Sequence, residues 1–296
     1  MMKLDEKFKV TLLSVFAALF LTAIKFIVGI STNSLGILSE ALHSGLDLVA
    51  ALITFFAVRI ADKPADTEHN FGHGKVENFS ALIEAILLLA TCGWIIHEAI
   101  QRLTGHGEDV SVTVWSYVVV ILAIIVDLWR AGALKRVAKK YNNQAIEADA
   151  LHFSTDILSS LVVLIGLIFA QVGGKFIIAD SIAGLIVAAI VVLISIQLAK
   201  RAINSLLDAA PPAITKTAQE ILDSDPEIHD YHDLKIRSSG EGYFIMVSLH
   251  VKPDLTLKQA HNISNRIERR IKDAIQFPTT VDIHIEPDDH NEEINN

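Results

Sequence analysis

The chain of 296 residues has a single cysteine and comparatively few basic residues. Because Cys92 stands alone, an internal disulfide and every Cys-x-x-Cys redox or zinc motif are excluded. Any metal ion must therefore be bound by His, Asp and Glu. The 25 Lys and Arg are outnumbered by 34 Asp and Glu, which gives a net charge of -9. A nucleic-acid partner is not expected, since neutralising phosphates requires a basic face.

Charge is also scarce before about Ile203, where the sequence is strongly apolar. Hydrophobic residues make up 51% of the chain, and its mean hydropathy of +0.43 is typical of membrane proteins. A bilayer core of about 30 Å needs roughly 20 apolar helical residues. Runs of that length lie near 8–30, 35–58, 79–100, 112–133, 147–171 and 176–199. We predict six spans, the first of them retained because it is too long for a cleaved signal peptide.

The distribution of Lys and Arg predicts the orientation of these spans. Basic residues precede the first predicted span and follow the second and fourth: Lys3, Lys7, Lys9, Arg59, Lys63, Lys75, Arg130, Lys135, Arg136, Lys139 and Lys140. The opposite loops contain only Arg102 and Lys175. Positive residues concentrate on the cytoplasmic side, so both termini are predicted to be cytoplasmic. The short chain, without a His-rich loop, favours a bacterial inner (plasma) membrane.

A change of pattern near Asp208 predicts a second domain. Pro211 and Pro212 end the apolar region, because proline cannot continue a helix that it interrupts. The pattern then indicates a helix, a hairpin, a second helix and a last strand: 215–223, 231–237 with 243–251, 260–275 and 281–285. We predict a transmembrane domain over 1–207, a cytoplasmic α+β domain over 208–287 and a disordered acidic tail over 288–296.

Two His-x3-Asp motifs lie inside predicted spans. His43 and Asp47 belong to the second span, and His152 and Asp156 to the fifth. Helical residues four apart share a face, so two facing helices would assemble four ligands, the number that zinc prefers. Ionisable groups at bilayer depth cost about 2.5–3.5 kcal/mol each and tend to mark a site. The alternative is that the pairs only form hydrogen bonds between helices.

Five other ionisable residues in the spans have no ligand-type residue at the four-residue spacing of the two motifs. They are predicted to be helix-end anchors or single interhelical bonds: Lys25, Glu40, Glu84, Asp127 and Asp149. His97 and Glu98 begin the His-Glu-x-x-His motif of zinc proteases, but Gln101 stands where the second His is needed. A membrane metalloprotease is therefore disfavoured.

Together these features resemble the cation diffusion facilitator family. The resemblance rests on six spans, the paired His-x3-Asp motifs, a cytoplasmic α+β tail and the string Asp-Thr-Glu-His-Asn-Phe-Gly-His-Gly-Lys-Val-Glu from Asp66 to Glu77. It implies a homodimer, joined through the cytoplasmic domain, that exchanges a divalent metal for protons. It also implies that this domain is metallochaperone-like, with a ferredoxin-like fold.

The resemblance further implies three metal sites. Their residues are His43, Asp47, His152 and Asp156 for transport; Asp66, His69 and His73 in a loop; and His232, His250, His261, His284 and Glu286 in the tail. His43 resembles the branch of the family that is more restricted to zinc, since other members have Asp there. Zn²⁺ is the expected cargo and ligand, with Co²⁺, Cd²⁺ or Fe²⁺ as alternatives and protons as the counter-ion.

The expected mechanism is alternating access, in which protons compete with the metal for the same ligands. The tail is expected to sense cytoplasmic metal. Two alternatives stay open at this point. A membrane-bound zinc enzyme would use three ligands and a water molecule, whereas the two motifs supply four. A metal sensor without transport is the other alternative.

Overall fold

The computed structural model describes residues 2–31, 35–104, 114–170 and 177–288. Between Ile203 and Asn204 the chain divides into two compact units. The first unit is a bundle of six helices. They are α1 (Met2–Ser31), α2 (Leu35–Ala61), α3 (Val76–Leu103), α4 (Val114–Tyr141), α5 (Gln144–Ala170) and α6 (Ile177–Leu206).

The helices begin and end farther out than several predicted spans. In particular, α4 continues to Tyr141 and α6 to Leu206, past the predicted ends at 133 and 199. An apolar run measures only the thickness of the bilayer core, whereas α4 also includes the basic residues that follow its apolar run. Lys139 and Lys140 lie in the last turn of α4, where positive charge interacts favourably with the helix dipole.

Five helices of the described residues are long and apolar enough to cross a membrane: α1, α2, α3, α4 and α6. The fifth in sequence, α5, has 27 residues, about 40 Å at the usual helical rise. Large apolar side chains remain exposed on the outer faces, among them Phe16, Ile27, Trp94 and Leu193. Such faces suit a lipid environment, so the expected helical membrane protein is confirmed.

Small residues bring the helices close together in the bundle. The most extensive helix interfaces are those of α1 with α2 and of α4 with α5. Buried Ala18, Ala51 and Ala145 lie in the core that α1, α2, α4 and α5 share, while Ala81 and Ala85 of α3 lie in a second core with α5 and α6. Small side chains permit the close backbone approach by which membrane helices associate.

The second unit is a small α+β domain, as predicted. It contains α7 (Pro212–Asp223), β1 (Asp230–Ser239), β2 (Gly242–Val251), α8 (Leu257–Ala274) and β3 (Thr279–Pro287). The sheet has the order β1-β2-β3, with β1 antiparallel and β3 parallel to β2. Ile263, Ile267 and Ile271 form the buried face of α8 against the sheet. A capping box at Thr256 and Gln259 begins this helix.

The first residue of the predicted acidic tail contacts the sheet of this domain. Asp288 donates its backbone N–H to the Val251 carbonyl at 2.8 Å. Its carboxylate also lies 2.6 Å from His229 Nδ1. Residues 289–296, the rest of the predicted disordered tail, lie outside the described residues.

Candidate metal sites

The intramembrane motifs of α2 and α5 meet as the helical spacing requires. His152 Nε2 lies 3.2 Å from Asp47 Oδ1 and 3.7 Å from Asp156 Oδ2. The three ligand atoms lie within 4.8 Å of one another, a separation compatible with binding one ion. Asp47 and His152 are buried. The fold thus places one imidazole and two carboxylates together away from solvent.

His43, the fourth predicted ligand, lies at the edge of this group. Its Nε2 is 3.9 Å from Asp47 Oδ1, and 36% of its side chain is exposed. It lines a cavity of about 60 Å³ together with Asp47 and Asp156. The space is of the order of a few water-sized volumes. His43 therefore borders the same cavity without being one of the three grouped residues.

Several of the other ionisable residues in the spans surround the site. Glu84 Oε2 on α3 lies 3.4 Å from His152 Nδ1, and Lys25 Nζ donates to Ser44 Oγ at 2.8 Å. Lys25 and Asp127 also line the cavity. Lys25 and Glu84 thus make contacts between helices, in line with the prediction, and Glu84 makes its contact with the histidine of the site itself. The side chain of Glu40 lies outside the described residues.

A second buried network contains the guanidinium of Arg130. It donates to Asp127 at 3.2 Å and to Ser14 Oγ at 3.1 Å, and it lies 3.4 Å above the centre of the Phe153 ring. Ser14 in turn donates to Asp149 at 3.2 Å. The placement of Arg130 among the basic residues that follow the fourth span is wrong. Arg130 lies within α4, which continues to Tyr141, and its side chain is buried.

The loop between α2 and α3 brings its three predicted ligands together. Asp66 Oδ1 lies 3.3 Å from His69 Nδ1, and Asp66 Oδ2 lies 3.4 Å from His73 Nε2. The two imidazole rings are 4.4 Å apart between centroids. These ligand atoms also lie within 4.8 Å of one another.

Backbone hydrogen bonds preform this loop. The N–H of His69 donates to Asp66 Oδ1 at 2.7 Å, and that of Glu68 at 3.0 Å. The bond from the His69 N–H is the main reason that the pKa of Asp66 lies below its usual value. Gly72 adopts φ +77°, a conformation that other residues reach only with strain. The loop thus presents an ionised carboxylate between two histidines.

The sheet of the second unit assembles the third group. Glu286 Oε2 lies 3.1 Å from His232 Nε2 and 3.4 Å from His250 Nε2, and these three residues offer ligand atoms within 4.8 Å of one another. His250 on β2 and Glu286 on β3 are direct partners in the parallel register. An irregularity of β1 between His232 and Lys235, where Asp233 adopts φ +55°, accompanies the approach of His232.

Hydrogen bonding adjusts the protonation of this group. The bond to Glu286 raises the pKa of His232 above its usual value. The same bond lowers the pKa of Glu286. In the absence of metal, the pair therefore holds the proton of His232 more tightly than an isolated histidine would, and a metal ion competes with that proton.

The two remaining tail residues are placed differently. His284 Nε2 lies 3.3 Å from Glu286 Oε1, but 72% of its side chain is exposed and it is not one of the three grouped residues. His261 on α8 lies 3.1 Å from Asn265 and is likewise outside the group. His229, which no motif in the sequence singles out, lies beside Asp288. No spacing in the sequence connects these two residues.

Two family models and curated relatives match this chain. Residues 11–207 match the model of the cation efflux transmembrane domain, and residues 210–288 match that of the cation efflux protein cytoplasmic domain. The cation-efflux pump FieF of Shewanella oneidensis is 30% identical over 275 residues, which cover 93% of this chain and 92% of the pump. FieF of Salmonella arizonae is 31% identical over 280 residues, covering 91% and 89%.

A solved structure is also similar to part of the chain. It is the metal-bound C-terminal domain of the CzcD transporter from Thermotoga maritima, with 27% identity, a TM-score of 0.25 and coverage of 25% of this chain and 87% of that domain. The family models span both units of the chain, and the members of the family are transporters rather than enzymes. The chain belongs to the cation diffusion facilitator family, and it is a membrane-embedded cation efflux transporter.

Proposed function

We propose that this transporter exports Zn²⁺ in exchange for protons by alternating access. The proposal depends on one observation, the convergence of Asp47, His152 and Asp156 inside the bundle with His43 beside them. Mixed nitrogen and carboxylate ligands in a group of four suit zinc. Manganese prefers oxygen ligands alone. Co²⁺, Cd²⁺ and Fe²⁺ are the competing cargoes that the flux experiment has to compare.

Proton coupling follows from the chemistry of the ligands. An imidazole nitrogen binds metal only without a proton, and so does a carboxylate oxygen. Protons arriving from the far side would occupy the same lone pairs and release the ion. Because Asp47 and His152 are buried, exchange requires the bundle to open to one side and then to the other.

The loop and tail groups supply the rest of the proposed cycle. We infer that Asp66, His69 and His73 bind metal near the membrane surface, and that the tail group senses cytoplasmic metal, with His261 and His284 as additional ligands.

The cytoplasmic-domain match over 210–288 supports a homodimer joined through that domain. The basic residues beside α2 and α4 support cytoplasmic termini in an inner membrane. We retain 1–207 and 208–287 as the functional division.

A flux assay on purified protein in proteoliposomes tests the proposal. A pH jump should drive zinc uptake by the wild type, with cobalt, cadmium and iron compared in parallel. Asp47→Ala should abolish this uptake, because a buried ligand is lost. Glu147→Ala, which removes an exposed carboxylate that pairs with Arg201, should preserve it. Full flux in Asp47→Ala would refute the site.

The same preparation separates the alternatives. Zinc binding without flux in the wild type would indicate a sensor. Zinc-dependent hydrolysis of a peptide or ester substrate would indicate an enzyme. Flux that does not depend on the pH gradient would contradict antiport but not export.

A further inference from the structure

Glu84 is a fully buried carboxylate on α3 that the zinc site, as described above, does not use. Its Oε2 faces His152 Nδ1 at 3.4 Å. Among the described residues, neither atom makes a hydrogen bond, so this charged contact is the interaction that the structure gives to both. Burial of two polar atoms costs free energy unless they interact with each other. The arrangement therefore indicates a specific relation between Glu84 and the histidine.

The two nitrogens of His152 face opposite groups. Nε2 points to Asp47 and Asp156, whereas Nδ1 points to Glu84. For Nε2 to donate its lone pair to a metal, the proton of the neutral ring has to reside on Nδ1. An acceptor at Nδ1 favours that tautomer and fixes the ring orientation.

We propose that Glu84 is a positioning residue that holds His152 in the tautomer and orientation needed to bind the cargo through Nε2. The inference rests on the proposed zinc site. It assigns a role to α3, which contributes no ligand to the described group, and it makes the affinity of the site depend on a residue outside it.

A second contact distinguishes this role from simple helix packing. Thr54 Oγ1 on α2 donates to Glu84 Oε1 at 3.1 Å. A hydrogen bond between α2 and α3 accounts for Oε1 alone. It does not explain why Oε2 is buried beside an imidazole. Instead the threonine orients the carboxylate so that its other oxygen faces the imidazole on α5. Glu84 thus connects the two helices that supply the ligands.

Zinc transport kinetics in proteoliposomes test the inference, with KM and maximal rate measured separately. Glu84→Met removes the acceptor at nearly constant volume and should raise KM by about 10–100-fold, the usual effect of losing an outer partner of a metal-binding histidine. Glu84→Gln keeps an acceptor oxygen, so its KM should lie much closer to that of the wild type. Thr54→Val removes the bond between α2 and α3 and should raise KM less than Glu84→Met.

The outcomes separate positioning from stability. A purely structural role would lower the maximal rate through loss of folded protein and leave KM unchanged, and that result for Glu84→Met would overturn the inference. If Glu84→Met does not fold, Glu84→Asp retains the charge but withdraws it from Nδ1, and an unchanged KM there would also overturn it. Absence of saturable zinc transport in the wild type would refute the proposed function instead.

Discussion

The group in the bundle and the group in the tail use the same kinds of ligand in opposite surroundings. Asp47 and His152 are buried and lie among further charged residues on other helices. The tail group is open, with about half of the His232 side chain exposed. Water screens charges in the open group, whereas a buried charge without its partner has no such compensation. Substitutions of a ligand should therefore have much larger effects in the buried group than in the exposed group.

The largest difference between the two groups is expected when the same substitution is made in each. His152→Ala should abolish zinc flux, because it leaves Asp47 and Asp156 as two neighbouring carboxylates without the imidazole. His232→Ala should retain flux and change only its dependence on cytoplasmic zinc. Initial rates in proteoliposomes across a range of zinc concentrations measure both effects.

His97→Ala is the matched control for this experiment. His97 lies on α3 in the same unit, is exposed and contacts Gln101, so its loss should leave flux unchanged. Equal losses of flux in the His152 and His232 variants would contradict the distinction between a transport group and a sensing group.

The sequence predicted those features of the fold and the sites that depend on local spacing. Apolar runs predicted the helices, and four-residue spacing placed His152 and Asp156 on one face of α5. The alternation that marks β3 likewise predicted that His284 and Glu286 share a face, and these residues are in contact. In each case the distance between the two residues is determined by the backbone geometry of a single element.

Contacts between elements could not be predicted in the same way. Glu84 has no ligand-type residue at helical spacing on α3, and its partner His152 is far away in sequence. Arg130 looked like a loop residue because an apolar run ends near it, although the helix continues. Which buried side chains meet depends on how the helices are rotated against each other. A single sequence contains only a weak signal of that rotation.

A smaller effect is expected in the pH dependence of zinc binding by the tail group. The bond to Glu286 raises the pKa of His232, so the imidazole holds its proton up to a higher pH than an ordinary histidine. Zinc binding should be complete above this raised pKa and weaken as the pH falls through it. In Glu286→Gln the pKa of His232 should fall back towards 6.5, and proton competition at His232 should shift to lower pH.

Calorimetric zinc titrations between about pH 5 and 8, the range in which histidine changes charge, measure this shift. Glu268→Gln, which breaks an exposed pair with Lys272 on α8, is the control, because it leaves the bond between Glu286 and His232 in place. The same pH midpoint for proton competition in wild type and Glu286→Gln would show that the ion pair does not control protonation.

The smallest expected effect concerns the stability of the tail domain rather than its metal. Buried Asp225 lies 2.8 Å from both Arg266 and Arg270. Burial alone would raise the pKa of Asp225, but hydrogen bonds from the Glu227 N–H and from Arg266 more than offset it, and the pKa is lowered. A lowered carboxyl pKa stabilises the fold above the unfolded value, about 3.9, and this contribution is lost as the pH falls through the folded value.

Asp225→Asn should therefore lower the free energy of unfolding of this domain by about 1–2 kcal/mol at neutral pH, since the arginines remain partly solvated. The difference from the wild type should shrink in acid, where both chains have a neutral side chain at this position. Hydrogen exchange of the amides in 208–288 of the full chain measures it. Glu220→Gln, which breaks the exposed pair with Lys216, should change stability by less than about 0.5 kcal/mol. Equal effects of the two substitutions at neutral pH would show that burial of Asp225 adds nothing to its ion pairs.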